Sequence, residues 1–176
     1  MLRLCFALIA CGLPSLATRA EAQMITLAPA TGPALGTTVR GSAATTFTIS
    51  TSGAVTRASG NAIRLNGGSV SAPTVTFNCG LLNLAQLCLT RTARVTIAPA
   101  ASSGPASITR FRISNLSGGT YRTGSAPAEA AVLVFDLNPL GLLGSVSFRL
   151  GLDVLLAAGA NSGAWTYSYT VSVQFV

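Results

Sequence analysis

Residues 165–176 read Trp-Thr-Tyr-Ser-Tyr-Thr-Val-Ser-Val-Gln-Phe-Val, and their alternation decides the fold class. The odd positions Trp165, Tyr167, Tyr169, Val171, Val173 and Phe175 are aromatic or β-branched, whereas the even ones are Thr, Ser or Gln until Val176. Successive side chains of a strand point to opposite faces, so a period of two marks a strand with one face on a core and the other in solvent. The stretch is therefore expected to be a long strand whose odd face is a core stripe, laid in last against strands already assembled. Trp165, Tyr167 and Tyr169 could instead stack on sugar rings. The alternation continues unbroken into Val171, Val173 and Phe175, which favours the core reading, with Trp165 at its rim.

Working outward, the same period recurs in shorter pieces. Residues 145–150 turn Val146, Phe148 and Leu150 inward, and residues 152–156 form a second short strand after Gly151. Residues 131–137 are apolar on both faces, with Val132 and Val134 on one and Leu133, Phe135 and Leu137 on the other, and are expected to be covered on both sides. Residues 108–116 place Phe111 and Ile113 inward and Arg110 and Arg112 outward; residues 94–98, 74–79 and 45–50 alternate in the same way. Weaker segments lie at 24–28, 54–57 and 61–65, the last placing Ile63 and Leu65 on one face before the turn Asn66-Gly67-Gly68. Residues 81–89 are too dense in leucine and too short to choose between a helical turn and a covered loop. No stretch supports an amphipathic helix of three turns. Strands at about ten-residue spacing between Gly, Pro, Ser and Asn clusters argue a single all-β domain, an antiparallel β-sandwich or barrel.

The N-terminus sets the compartment. Arg3 is the only charge ahead of an apolar run at 4–13, Pro14 ends the run, and Ala20-Glu21-Ala22 precedes Gln23. This is the layout of a secretory signal peptide over residues 1–22, cleaved between Ala22 and Gln23, with the domain at 23–176. The run is too short to span a bilayer, so the mature chain is expected to have no transmembrane segment. A lipobox at Leu8-Ile9-Ala10-Cys11, with Cys11 acylated, is the competing reading. It is disfavoured because the small-residue site lies just downstream. Removal of the leader leaves Cys79 and Cys88, which in an oxidising compartment are expected to pair and to stabilise the fold by about 2–3 kcal/mol. A metal site would need further Cys or His ligands, and the chain has no histidine.

The chain carries 11 basic residues, all arginine, against 4 acidic ones. Such an excess fits an anionic partner, yet no run interleaves arginines with aromatics as a nucleic-acid groove requires. Nucleic acid is therefore not an expected partner. Only Arg110 and Arg112, two apart on one strand face, form a local pair that could contact an anion. Enzyme readings lack parts: with no His, no Lys and no Cys outside the expected bridge, the usual bases and nucleophiles are missing. Glu129, Asp136 and Asp153 are the carboxylates after the leader. A loop charge, a strand-end hydrogen-bonding group and an ion-pair partner describe them better than a catalytic pair. No cofactor or metal is expected.

Two regions carry a family resemblance. Residues 163–175 resemble the closing G-x-Y-x-G-x-F-x-V-x-V-x-Y strand of secreted bacterial spore coat protein U and fimbrial-subunit (pilin-like) domains, with Tyr167 in place of the middle Gly and Phe175 in place of the last Tyr. Residues 52–55, 66–68 and 73–77 are similar to the Gly-rich hairpins of a proteobacterial secreted domain family of unknown function with the same ending. Residues 145–156 followed by 159–163 are similar to its penultimate hairpin. The resemblance implies an immunoglobulin-like β-sandwich, secreted, periplasmic or on the cell surface of a Gram-negative bacterium. It also implies a structural or adhesive, non-enzymatic role, with other surface subunits or a periplasmic chaperone as partners, assembled by donation of a strand to a sheet edge. Residues 23–33, with Pro29 and Pro33, supply no additional alternating strand of the kind such subunits donate. The closing strand is accordingly expected to complete its own sandwich. The alternative is an extracytoplasmic module that binds glycan or lipid through its Leu-rich segments or the Trp165 edge.

Overall fold

The computed structural model describes residues 25–28, 34–79, 85–100, 104–165 and 167–176. The expected leader, its Ala22/Gln23 cleavage point, Cys11 and Leu81, Leu82 and Leu84 lie outside them. In chain order the elements are β1 (Ile25–Ala28), β2 (Thr37–Val39), β3 (Thr45–Ile49), β4 (Val55–Ser59), β5 (Ile63–Arg64), β6 (Thr74–Asn78), α1 (Ala85–Thr90), β7 (Ala93–Pro99), β8 (Ala106–Ser117), β9 (Leu133–Leu137), β10 (Ser145–Leu156), β11 (Gly163–Ala164) and β12 (Tyr169–Phe175). The fold is all-β and every strand pairing is antiparallel.

β10 is the spine. One edge pairs along nearly its whole length with β8. Its other edge is shared: Ser145 to Arg149 pair with Asn78 to Thr74 of β6, and Leu152 to Leu156 with Ile49 to Thr45 of β3. β3 and β6 therefore run in one direction and lie end to end, as two pieces of a single line, with β4 and β1 outside them. At the break Leu150 N–H donates to Pro73 O at 2.8 Å. Pro73 has no N–H to offer, and its place just ahead of β6 asks for none. β8 follows the spine by two register shifts, and Asn115, at φ 55°, lies at one of them. Asparagine tolerates the left-handed conformation that such a bulge needs.

A second sheet, in the order β12-β7-β9, faces the first, and β11-β2-β5 form a small third one. The even positions of β10 (Val146, Phe148, Leu150, Leu152, Val154, Leu156) are all buried and share one hydrophobic cluster with Val95, Ile97, Leu133, Phe135 and Leu137. Two edge-to-face ring pairs cross between the sheets, Phe135 with Phe148 at 5.6 Å and Phe111 with Tyr169 at 6.1 Å. Two antiparallel sheets over a common core form the layered arrangement of a sandwich.

Several expectations are corrected. Residues 145–150 and 152–156 are one strand, because Gly151 interrupts the side-chain pattern without breaking the ladder. The closing strand is shorter than its alternation: Gly163 and Ala164 belong to the small sheet, Trp165, Tyr167 and Ser168 carry the chain across, and the regular strand begins at Tyr169. Val132 and Val134 are 49% and 51% exposed, because among the described residues no further layer covers the outer face of β9. Ile63 and Leu65 do share a face, but an exposed one, since β5 is a two-residue strand at the margin of the small sheet. Within residues 81–89, the part from Ala85 is helical.

Cys79 and Cys88 are joined across 6.2 Å between their Cα atoms. The bridge ties the end of β6 to α1, and Leu140 N–H donates to Cys88 O at 2.8 Å, so the Leu140 loop docks on the same clip. Truncating Leu152 to Ala is expected to cost about 3–5 kcal/mol, since it empties a fully buried site on the spine. Val134→Ala should change stability by no more than about 0.5 kcal/mol. Denaturant titration checks both, and a large loss from Val134→Ala would contradict its exposure.

Candidate functional site

The residues singled out by the sequence fall into two places, and the fold assembles a third. The first is the closing segment. Tyr167, Tyr169 and Val173 are buried, and Trp165, Val171 and Phe175 are partly buried against the same core. Burial pushes the Tyr169 phenol up to about 12 and raises Tyr167 further, so neither serves as a base near neutral pH. One edge of β12 pairs with β7 from Tyr169 against Pro99 to Phe175 against Ala93, and its other edge meets no strand among the described residues. Two other edges are guarded: exposed β4 carries Arg57, and the outer side of β9 is met by Arg122 N–H donating to Asp136 O and Asn138 N–H to Thr120 O; four-residue β1, at the far end of the first sheet, carries neither charge nor proline. β12, Tyr-Thr-Val-Ser-Val-Gln-Phe, contains neither a charge nor a proline, the usual means of blunting an edge.

The second place is the outer face of the spine, where Arg110 and Arg112 lie. Phe111 exchanges backbone hydrogen bonds with Ala130, which sets Glu129 opposite Arg112. On the other side the β8–β10 register sets Arg110 opposite Asp153 and Arg112 opposite Gly151. A Cβ on Gly151 would stand 2.6 Å from Arg112 Cγ, so the missing side chain is what lets Arg112 lie along the sheet. Arg112 then reaches Glu129 at 2.9 Å and Asp153 at 2.7 Å, and Arg110 approaches the same two carboxylates at 3.5 Å each. The four charges close a ring of alternating sign. Thr48 on β3 adds a hydroxyl donated to Asp153 Oδ1 at 2.8 Å. Asp153 is only 7% exposed and is satisfied from both neighbouring strands. The expected anion-contacting pair is thus internally neutralised, and Asp153 pairs with β8 and not with Arg149, four residues before it. Asp136 meets Arg94, its cross-strand neighbour, at 2.8 Å.

The third place was not visible in the sequence. β4 and β5 wall a cleft of about 410 Å³ that presents Arg57 and Arg64 together with Val55 and Ile63. Arg57 donates to Ala62 O, and Arg64 to Leu35 O and Gly68 O. In the sequence these are two of several scattered arginines on separate weak segments. Only the excursion between β3 and β6 turns them toward one space.

The charge ring carries a stability prediction. Asp153→Ala strips Arg112 and Thr48 of a part-buried acceptor and is expected to cost about 1–3 kcal/mol. The Arg112 guanidinium holds Glu129, and the Arg94 guanidinium holds Asp136, below the usual carboxylate range. A depressed folded-state value contributes stability that is present above the unfolded value, about pH 4, and is lost as pH falls through the folded one. The thermal midpoint is therefore expected to be level between about pH 7 and 5 and to drop below about pH 4. A midpoint that rises on acidification would contradict the ring.

No protein-family profile, curated protein or solved structure matches this chain.

Proposed function

We propose that the protein is a secreted structural or adhesive subunit of a bacterial cell surface, pilin- or coat-protein-like and non-enzymatic, built on an immunoglobulin-like sandwich. Its association with other surface subunits, or with a periplasmic chaperone, runs through the outer edge of β12. The observation that carries this reading is that edge: seven residues without charge or proline, paired on one side only among the described residues. A strand in that state is a template for β-augmentation, because backbone N–H and C=O groups supply affinity to any extended segment laid alongside. The similarity of residues 163–175 to the closing strand of pilin-like domains supports the same role. The disulfide between Cys79 and Cys88 fits an oxidising compartment, and no helix among the described residues is long and apolar enough to cross a membrane.

The experiment is the oligomeric state of the exported protein by sedimentation and electron microscopy, with and without Val171→Pro on β12. Val176 and Thr92 exchange backbone hydrogen bonds and Ala100 N–H donates to Ser168 O, so in this antiparallel register the even residues of β12 bond to β7 and the N–H of Val171 faces the unpaired edge. Filaments or a stable heteromeric complex, lost on Val171→Pro while the far-ultraviolet spectrum is retained, is the expected result. A monomer at all concentrations and in the presence of its secretion partners would overturn the reading.

A further inference from the structure

Of the described arginines, Arg40, Arg57, Arg64, Arg91, Arg122 and Arg149 have no salt-bridge partner among the described residues, and Arg57 and Arg64 are the two that line a common cleft. Glu129, Asp136 and Asp153, the acidic side chains of the described residues, are all committed to Arg94, Arg110 and Arg112. Arg57 and Arg64 meet no carboxylate among the described residues. Both line the cleft of about 410 Å³, a size at which small-molecule sites are found.

The guanidiniums are held in place. Arg57 Nη1 donates to Ala62 O at 3.2 Å and Arg64 Nη1 to Gly68 O at 2.7 Å, while Arg64 Nε donates to Leu35 O. Carbonyl acceptors orient a guanidinium without cancelling its charge, and each group has five N–H donors, so both retain donors beyond those bonds. Side chains fixed before binding lose less freedom on binding. In the same cleft, Val55 and the half-exposed Ile63 offer apolar surface. The rim at Gly67 and Gly68 is low, since a Cβ at either would meet nothing within 4 Å. Asn66 lines the same rim; its Oδ1 accepts from Thr37 N, which leaves its amide nitrogen as a neutral donor.

We propose that this cleft binds a uronic acid residue of an acidic polysaccharide, with the carboxylate between Arg57 and Arg64 and the C–H face of the ring on Val55 and Ile63. Two guanidiniums lining one cleft, with no carboxylate beside them, suit an oxyanion. A bare inorganic anion would leave the apolar wall wetted, and a nucleotide would lack a stacking partner, because the aromatic lining the cleft, Phe47, is buried. A pyranose acid uses the anionic, neutral-polar and apolar features together. The site lies on β4 and β5, apart from the β12 edge, and does not rest on assembly.

The test is calorimetric titration of the exported protein with trigalacturonic acid, maltotriose and inorganic phosphate in turn. Saturable binding of the acidic trisaccharide, no binding of the neutral one, and weaker binding of phosphate are expected. Arg57→Gln, which forfeits a single backbone contact, should weaken the acidic sugar by about tenfold or more while leaving the unfolding midpoint in place. Arg91→Gln, which removes the same charge from an exposed position outside the cleft, should leave binding unchanged. Absence of binding, equal affinity for maltotriose or phosphate, or equal losses from Arg57→Gln and Arg91→Gln would each overturn the assignment. Loss of filaments with binding retained, or the reverse, separates this site from the β12 edge.

Discussion

The backbone hydrogen bonding of β10 on both of its edges is the constraint on which the rest of the molecule depends. A strand paired on both sides has its polar backbone satisfied by neighbours, so it can be buried on its inner face at no cost in unpaired groups. Here one edge is given wholly to β8 and the other is divided between β6 and β3. That division sets the position of the excursion at residues 50–73, which must leave the sheet where β3 ends and return where β6 begins. β4, β5 and the cleft all lie on that excursion. The location of the arginine cleft is thus a consequence of how one edge of β10 is shared.

The same strand explains the polar outer face. Its even positions fill the core, so its odd positions face out, and Gly151 and Asp153 are two of them. Gly151 gives Arg112 room, Asp153 gives it a partner, and the exchange of hydrogen bonds between Phe111 and Ala130 brings Glu129 to the other side. A nearly buried carboxylate is tolerable only when both its charge and its hydrogen bonds are met. Asp153 has an arginine from β8 and a hydroxyl from β3, so the ring also ties together the two strands that flank this half of the spine.

Much of this was legible in the residues. The inner faces of β3, β6, β7, β10 and β12 follow from alternation alone, because Phe47, Phe77, Val95, Phe148 and Val173 sit where a period of two places them. The misreadings have physical causes. Glycine usually weakens a strand, so Gly151 looked like a break when its function is to receive a neighbouring side chain. Trp165 and Tyr167 alternate with their neighbours while crossing between sheets, since a chain passing over a core also buries every second side chain. Val132 and Val134 are apolar yet uncovered, and an apolar pattern on both faces cannot say which face has a layer to meet it. Arg57 and Arg64 were out of reach, as nothing local to either records that two weak segments will face each other.

Native-state hydrogen exchange followed residue by residue tests the central role of β10 most directly. If β10 is the spine, the amides of Leu150, Leu152 and Val154 exchange only through global unfolding, with the full unfolding free energy, while the outer-edge amides of β12 exchange through smaller, local openings. Protection of β12 that survives openings exposing the β10 amides would contradict the account and return the organising role to the closing strand.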